Sequence, residues 1–314
     1  MNPVRSVEIA APCKINVHLR VKSRRADGYH SLESVFLALG FGDTLRFEVE
    51  GEPGACEIIM EGAALRSAGL FSEEALSAEN NIVLKTAALF RERSGFAGGL
   101  RVRIEKRIPM RAGLGGGSSD AGAALKALNR LSGGALRREE LLEMALILGS
   151  DVPFFLYGGA AWVRGRGEDI TPIAVPEGLA VVLAHPGFPS GTREAFRLLD
   201  EARAYAGDVC ADTPCPVGDL AGHPRDWRYW NDFLPVLLSA GPPAEAEAYR
   251  AVLAALREGG ADFAGLSGSG SVCFGVFTDE TAARETVRRI RGNEGRNFAE
   301  LTFPLARFDE AGIE

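Results

Sequence analysis

The sequence is poor in the residues that build metal centres and disulfide frameworks. It contains five cysteines and four histidines in 314 residues, and no two cysteines form a Cys-x-x-Cys pair. The cysteines, at positions 13, 56, 210, 215 and 273, do not cluster with the histidines. We therefore expect neither a zinc site nor a disulfide scaffold, and the odd cysteine count fits a reducing compartment.

Basic charge and long apolar runs are scarce as well. Lysine and arginine together number 35 against 42 acidic residues, and the resulting net charge of −7 does not supply the basic surface that nucleic-acid binding needs. No apolar run approaches the roughly 20 residues that a membrane span requires, and the N-terminal stretch lacks the apolar segment of a signal peptide. We expect a cytoplasmic protein that binds neither nucleic acid nor membrane.

Two common nucleotide-binding motifs are missing, but a glycine run is present. The chain has no GxxxxGK[ST] P-loop and no GxGxxG at 113–119. It does have "RIPMRAGLGGGSSDAGAALKAL" at 107–128, where glycines allow close backbone approach and a helix starting near Ser118 would present its positive end. Ser118 and Ser119 are candidate helix caps and phosphate donors. Taken alone, the stretch is either a phosphate cradle or a connector before a helix.

The hydrophobic pattern predicts alternating strands and helices in two domains. Period-two alternation predicts strands at 7–21, 43–50 and 99–108, and a buried strand follows the prolines of 168–187. Helices are predicted at 80–95, after the glycine run, from about 137 to 149, and at 191–206, 231–239, 243–259 and 280–291. Further strands are predicted at 272–277 and 299–307, with a loop at 207–228. We expect an α+β fold with domains at 1–172 and 173–314.

Other stretches carry polar residues in suggestive places. A second glycine and serine loop, "LSGSGSVCFGVF" at 266–277, is a hairpin when taken alone, but two such loops favour convergence on one phosphorylated ligand. In "APCKINVHLRV", Lys14 and Asn16 point to one face of a strand and Cys13 and Ile15 to the other. Lys14 is either a surface lysine or a functional one.

Two turns complete the set of candidate sites. Asp151 lies in a tight turn after a helix, in "GSDVPFF", where it either caps the turn or supplies a free carboxylate. In "RRADGYHSL" at 24–32, Tyr29 and His30 follow an Asp-Gly turn. They either stack on and hydrogen-bond an aromatic base or close a hairpin.

In this order, the stretches resemble the kinase superfamily of galactokinase, homoserine kinase, mevalonate kinase and phosphomevalonate kinase, the GHMP kinases. The resemblance rests on the strand motif at 12–17, the "P-x3-GLGGGSS" loop at 109–119 and the "SGSGS" loop at 267–271, and it runs from about residue 8 to about 308. It implies an N-terminal domain like ribosomal protein S5 domain 2 and a ferredoxin-like C-terminal domain. The active site would lie in the cleft between them.

Within that superfamily, "ADGYHSL", "GLGGGSSDA" and "GSDVPFFL" resemble the members whose acceptor carries cytidine diphosphate. The resemblance implies ATP-dependent phosphorylation of the 2-hydroxyl of 4-diphosphocytidyl-2-C-methyl-D-erythritol, in non-mevalonate isoprenoid precursor biosynthesis. Mg²⁺ would enter on ATP, with its protein ligands unknown. The expected partner is this small molecule, and the expected state is a monomer or weak homodimer.

The resemblance also implies roles for individual residues. Asp151 would accept or orient the hydroxyl proton, Lys14 would stabilise transferred charge, and Asn16 would orient the substrate. Tyr29 and His30 would bind the cytosine, joined by two substrate contacts on a later loop, Thr192 and Phe196. The implied ATP-binding residues are Asn81, Ile82, Lys106, Pro109, Gly113, Leu114, Gly115, Gly116, Gly117, Ser118, Ser119, Gly268, Ser269 and Gly270.

Three questions stay open at this point. Asp120 stands where some members have Asn, and it acts either toward Mg²⁺ or as a cap. A homoserine or mevalonate type of kinase is an alternative, although the "DGYH" turn favours an acceptor with a pyrimidine base. A catalytically silent nucleotide-binding regulator is another alternative, although Lys14 and Asp151 are both retained.

Overall fold

A long antiparallel hairpin organises the first half of the chain. The computed structural model describes residues 5–26, 28–71, 81–206, 215–292 and 298–306. The hairpin strands are β1 (Ser6–Arg24) and β2 (His30–Val49). Their register shifts between Pro12 and Cys13 and again between Asn16 and His18. Such bulges re-aim the side chains between them, and Lys14 and Asn16 lie in that interval.

The hairpin belongs to a six-stranded sheet that is covered by helices. The other strands are β3 (Cys56–Glu61), β4 (Leu100–Glu105), β5 (Ala160–Gly165) and β6 (Asp169–Ile173), in the order β3-β4-β2-β5-β6 with β1 along β2. The helices of this half are α1 (Ala63–Ser67), α2 (Ile82–Ser94), α3 (Gly116–Leu131), α4 (Arg138–Leu148) and α5 (Phe154–Tyr157). Helix α3 is buried along nearly its whole length, which its alanine-rich sequence permits because small side chains allow close packing.

The second half forms a four-stranded antiparallel sheet with helices. Its strands are β7 (Ala180–Ala184), β8 (Phe263–Leu266), β9 (Cys273–Phe277) and β10 (Ala299–Thr302), in the order β10-β7-β9-β8. Its helices are α6 (Thr192–Ala206), α7 (Phe233–Ala240), α8 (Pro243–Glu258) and α9 (Glu280–Arg291). Two 3₁₀ helices, Val217–Ala221 and Pro224–Asp226, precede α7.

The alternation of β1 places its residues in different environments. Cys13 and Ile15 pack into a core cluster shared with β7 and β9, so this face of the hairpin lies against the second sheet. A separate cluster joins the first sheet to α2, α3 and α4, and a third joins the second sheet to its helices. The prediction that Cys13 and Ile15 share one face of the strand is confirmed, and Lys14 and Asn16 are left to face the candidate site.

The structure corrects several predicted elements. The segment 43–50 is only the end of β2, which is more than twice as long. Helix α3 begins at Gly116 with Gly115 as its N-cap and no side-chain cap, so the prediction of a serine cap near Ser118 is wrong. Part of the loop predicted at 207–228 lies outside the described residues, and the remainder contains the two 3₁₀ helices. The predicted boundary at residue 172 falls within β6 and stays a prediction.

Candidate active site

Lys14 lies at the centre of a buried polar cluster. Its side chain is 4% exposed, and its Nζ lies 3.4 Å from Asp151 Oδ2. The ammonium also donates to Asn16 Oδ1 at 2.6 Å and to the Gly113 carbonyl oxygen at 3.3 Å, and it lies 4.7 Å from the centre of the Phe36 ring. Lys14 is therefore not a surface lysine, and a buried ammonium with several partners has a well-defined position.

Asn16 has a fixed amide orientation. Its Oδ1 accepts from Lys14, and its Nδ2 donates to Ser34 Oγ at 2.9 Å. The backbone N–H of Asn16 donates to Ser267 Oγ at 3.2 Å, which ties β1 to the second glycine loop. One amide hydrogen and one oxygen lone pair remain beyond these two side-chain bonds, so Asn16 keeps capacity to bind a substrate.

Asp151 reaches the cluster from a turn between two helices. Helix α4 ends at Leu148, and a Val152 N–H to Gly149 carbonyl bond of 3.2 Å closes the turn. The Asp151 side chain is 31% exposed and lines the same cavity as Lys14. It therefore offers solvent-accessible carboxylate oxygens beside a buried ammonium.

The two glycine loops contact each other directly. A Cβ on Gly113 would lie 2.1 Å from the Ser267 carbonyl oxygen, and Gly113 has a φ of +78°. The Ser267 hydroxyl donates to the Gly113 carbonyl oxygen at 2.8 Å. A Cβ on Gly115 would lie 2.9 Å from the Phe155 ring and 3.2 Å from Lys14 Cε. Glycine is favoured at both positions, because a Cβ at Gly113 would meet the backbone of the second loop and because Gly115, like Gly113, has a left-handed φ, of +71°.

Most of the predicted nucleotide-binding residues line one cavity of about 390 Å³. The N-terminus of α3 opens onto it, and its first-turn N–H groups carry the positive end of the helix dipole. Ser119 is not among the lining residues, because it is buried and its hydroxyl donates to the Pro12 carbonyl oxygen at 2.6 Å. The predicted residues that line the cavity are Asn81, Ile82, Lys106, Pro109, Gly113, Leu114, Gly115, Gly116, Gly117 and Ser118.

A second cavity, of about 210 Å³, meets the first at the glycine loop. Gly113 and Gly115 line both cavities, and Lys14 lines the smaller one. The predicted residues that line the smaller cavity are Lys14, Asn16, Asp151, Thr192, Phe196, Gly268 and Ser269. Gly270 lines neither of these two cavities. The Lys14–Asp151 pair thus lies where two binding spaces adjoin.

Lys106 does not present a free ammonium to the larger cavity. Its Nζ donates to Asp43 Oδ2 at 2.5 Å and to Asp120 Oδ2 at 2.7 Å, and all three side chains are buried. Asp43 also accepts from the backbone N–H groups of Arg107 and Ile108, at 2.6 Å and 2.9 Å. Lys106 therefore anchors the start of the glycine loop to β2 and α3, and the ATP contact that the resemblance implies for it stays a prediction.

Asp120, whose role was open, is the second carboxylate on Lys106. Its Oδ1 has no hydrogen-bond partner among the described residues. Burial raises the pKa of Asp120 to about 7, with the Asp43 carboxyl adding to the shift and Lys106 opposing it. Lys106 stays charged, since the two carboxylates raise its pKa further than burial lowers it. Asp120 thus completes an ion-pair cluster at the base of α3 and does not cap the helix.

The predicted base-binding residues are only partly brought together. The His30 ring stacks on the Phe196 ring, with centroids 5.1 Å apart and an interplanar angle of 23°, and His30 Nε2 is 2.8 Å from Asp200 Oδ1. Tyr29 is 57% exposed, and its ring lies 4.0 Å from the Arg166 guanidinium carbon. The His30 ring therefore occupies the face of Phe196 on which a base would stack. Asp27 of the same turn lies outside the described residues.

Thr192 contacts the second glycine loop. Its Oγ1 lies 3.0 Å from Ser269 Oγ, and Ser190 Oγ donates to the Ser269 carbonyl oxygen at 2.9 Å. Sequence reasoning missed Ser190, as it missed Ser34, Asp43 and Ser267. Their roles depend on long-range contacts, and only Ser267 had a local signal, because it opens the "SGSGS" motif.

Among the ranges that the structure describes, no group of three or more His, Cys, Asp or Glu side chains is arranged to hold a metal ion. In the same ranges, no helix combines the length and apolar character needed to cross a bilayer.

Comparisons with known proteins show the general class of protein to which the chain belongs. The model of the GHMP kinase N-terminal domain matches residues 81–159, and that of the GHMP kinase C-terminal domain matches residues 226–296. A solved homoserine kinase from Cytophaga hutchinsonii, 20% identical, has the same fold, with a TM-score of 0.64 over 97% of this chain and 96% of that one. The chain is a two-domain α+β GHMP kinase, as predicted.

Relatives with higher sequence identity to this chain show its family within the GHMP kinases. The 4-diphosphocytidyl-2-C-methyl-D-erythritol kinase of Xanthomonas oryzae pv. oryzae is 38% identical over 90% of this chain and 86% of its own, and that of Anaeromyxobacter dehalogenans is 39% identical over 95% and 89%. A crystal structure of 4-(cytidine 5'-diphospho)-2C-methyl-D-erythritol kinase is 32% identical, with a TM-score of 0.73 over 95% of this chain and 99% of that one. The chain belongs to the family of 4-diphosphocytidyl-2-C-methyl-D-erythritol kinases.

Proposed function

We propose that this protein transfers the γ-phosphate of ATP to the 2-hydroxyl of 4-diphosphocytidyl-2-C-methyl-D-erythritol, giving the 2-phosphate and ADP. One observation carries the proposal. The Lys14–Asp151 pair lies where a larger cavity beneath the glycine loop adjoins a smaller one, and Gly113 and Gly115 line both. A phosphate donor in the larger cavity and an alcohol in the smaller one would meet at this pair.

The chemistry follows from the charges at that junction. Phosphoryl transfer depends mainly on positioning and on neutralising charge at the transferred group. Asp151, the exposed member of the pair, would accept or orient the proton of the attacking hydroxyl. Lys14, held by Asn16 and by the Gly113 carbonyl oxygen, would stabilise the negative charge that passes between the two substrates.

The nucleotide would be held by backbone donors. The first-turn N–H groups of α3 and the loop from Gly113 to Gly117 face the larger cavity, where a triphosphate complements the positive end of the helix. Lys106 would act through the loop that it anchors. Mg²⁺ would accompany ATP as the counter-ion of its phosphates.

The acceptor would occupy the smaller cavity and extend toward the surface. Asn16 and Thr192 would contact its polar groups, and its cytosine would lie between Tyr29 and Phe196, read by His30. Because His30 covers Phe196 in the structure, the base would have to displace that ring before it could stack. This displacement is part of the proposal.

The comparisons support this acceptor over its rivals. Relatives named for the cytidylylated acceptor are 36–39% identical to the chain, whereas the solved homoserine and mevalonate kinases are 20% identical or less. Retention of Lys14 and Asp151 in contact argues against a silent regulator. We further propose that the protein works in the cytoplasm, as a monomer or weak homodimer, without nucleic acid, and that its two domains divide near residue 172.

A substrate panel tests the proposed function. Purified protein with ATP and Mg²⁺ should release ADP with 4-diphosphocytidyl-2-C-methyl-D-erythritol and remain at background with homoserine or mevalonate. Asp151→Asn protein, purified in the same way, controls for contaminating kinases. Equal turnover of all three acceptors would remove the proposed specificity, and turnover of mevalonate or homoserine alone would replace it.

A further inference from the structure

The turn of the second glycine loop, its residues 266–271, forms one wall of the smaller cavity. Gly268 and Ser269 line that cavity together with Lys14 and Asp151. Gly268 has a φ of +59°, in the left-handed region. Among the described residues, neither the Gly268 N–H nor the Ser269 N–H donates a hydrogen bond to another group of the protein. Successive free N–H groups around a left-handed residue form an anion-binding concavity.

Asn231 holds this loop from outside the cavity. Its Nδ2 donates to the Leu266 carbonyl oxygen at 2.8 Å and to the Gly268 carbonyl oxygen at 2.9 Å, and its Oδ1 accepts from the Phe233 N–H at 2.9 Å. The side chain is buried. Only an amide supplies two donors and an acceptor from a single carbon, so neither aspartate nor leucine reproduces these three bonds.

The residues on either side of Asn231, Trp230 and Asp232, are hydrogen-bonded to β1, the strand that carries Lys14. The Leu19 N–H donates to the Trp230 carbonyl oxygen at 2.7 Å, and the Asp232 N–H donates to the Leu19 carbonyl oxygen at 3.0 Å. The Asp232 carboxylate accepts from the Val21 N–H at 2.9 Å and pairs with two arginines. Residues 230–232 therefore join β1 to the second glycine loop.

We propose that Asn231 is a positioning residue for phosphoryl transfer, one that turns the Gly268–Ser269 peptide so that its N–H faces the cavity of Lys14 and Asp151. In a trans peptide the carbonyl and the N–H point in opposite directions, so binding the Gly268 carbonyl oxygen directs the Ser269 N–H away from Asn231. That N–H stabilises charge on phosphate oxygens beside Lys14. The inference rests on the proposed function for the identity of the reaction.

The test compares Asn231→Asp with a matched control, Asn129→Asp. Asn129 is also buried, and its amide donates to the Leu136 carbonyl oxygen and accepts from the Leu136 N–H, both at 3.0 Å, away from the two cavities. Asn231→Asp should lower kcat per folded molecule by about 10²-fold while the KM for ATP changes by less than about threefold. Asn129→Asp should lower the melting temperature and leave kcat per folded molecule at the wild-type value.

Two further measurements keep the proposal falsifiable. If Asn231→Asp does not fold, Asn231→Ser, which retains a single donor, should still show a kcat below that of the wild type with little change in the KM for ATP. Hydrogen exchange of residues 266–271 should speed up in the Asn231 variants and stay unchanged in Asn129→Asp. A wild-type kcat in folded Asn231 variants overturns the inference, as does an equal kcat loss in Asn129→Asp. If the wild type turns over none of the acceptors, the proposed function fails, and hydrogen exchange alone decides the inference: faster exchange in the Asn231 variants supports it and unchanged exchange overturns it.

Discussion

Replacing Lys106 with methionine separates an anchoring role from direct binding of ATP. The change removes the ammonium that Asp43 and Asp120 share at 2.5 Å and 2.7 Å, and their side chains are 0% and 6% exposed. Removing one partner of a buried ion pair leaves an uncompensated charge, which costs about 3–5 kcal/mol of unfolding free energy. We therefore expect Lys106→Met to lose about that much stability at pH 8, and activity to fall with it.

The part of this loss that a second substitution can restore lies at Asp120. Asp43 keeps two backbone donors, the N–H groups of Arg107 and Ile108, whereas Asp120 Oδ1 has no partner among the described residues. The double variant Lys106→Met, Asp120→Asn should therefore regain about half of the lost free energy or more, because a neutral amide replaces the less satisfied carboxyl, which is costly to bury at pH 8 whether it is charged or takes up a proton. An anchoring role for Lys106 thus predicts two linked changes in stability, a loss in Lys106→Met and a partial recovery in the double variant. Direct binding of ATP by Lys106 predicts neither change.

The measurement is urea unfolding at pH 8, followed by circular dichroism, with steady-state kinetics on the folded proteins. Lys126→Met is the matched control, because Lys126 is a buried lysine of α3 that donates to the Phe155 carbonyl oxygen and has a pKa lowered by burial to about 8. It should lose much less stability. A Lys106→Met protein as stable as wild type within about 1 kcal/mol, but with a tenfold higher KM for ATP, would refute the anchoring role.

Three other perturbations test the site. Asp151→Asn should lower kcat by about 10²-fold or more in steady-state assays with little change in melting temperature; an unchanged rate removes Asp151 from proton handling. Gly113→Ala should lose stability and activity together, because its Cβ would lie 2.1 Å from the Ser267 carbonyl oxygen, whereas Gly133→Ala, with φ +74° and no atom within 4 Å, should lose only about 1 kcal/mol by urea unfolding. Burial raises the pKa of Asp120 to about 7, so its stabilising contribution is complete below about pH 4 and is lost as the pH rises through 7. The unfolding free energy of Asp120→Asn should therefore fall less steeply between pH 5 and 8 than that of the wild type. An unchanged slope of unfolding free energy against pH would contradict the raised pKa of Asp120.

The elements near the site were predictable where the local pattern was strong. The helix at 80–95 is α2, Ile82–Ser94, because Asn81 caps it through bonds to Val83 and Leu84 and Gly95 ends it in a left-handed conformation. Strand β5 was missed because "AAWVRG" is short and partly small residues, and it pairs with β2 through contacts more than 120 residues apart. Alternation placed Lys14 correctly on β1 because each neighbour of a strand residue faces the opposite way.

Ion pairs between residues that are far apart in the sequence could not be predicted from any local sequence pattern. Lys106 precedes the glycine loop, which makes a phosphate ligand the natural interpretation of an isolated lysine. Its actual partner Asp43 is 63 residues away on β2, and nothing in the composition around either residue links them. Asp120 was ambiguous for the same reason, since its partner lies 14 residues earlier, beyond the start of its own helix.

The glycines of the loop are hard to interpret for a different reason. A glycine can be needed for close contact within the protein or for close contact with a ligand, and the sequence pattern is the same in both cases. A glycine with a left-handed φ and no room for a Cβ indicates that something lies close to the backbone, but the pattern does not name it. At Gly113 the close neighbour is the Ser267 carbonyl oxygen, so this glycine is required by contact between the two loops before any ligand enters. At Gly117 the nearest atom to a Cβ is 3.9 Å away, which leaves that position open toward the larger cavity. Of the glycines in one motif, therefore, some assemble the site and others face its ligand, and only their contacts tell them apart.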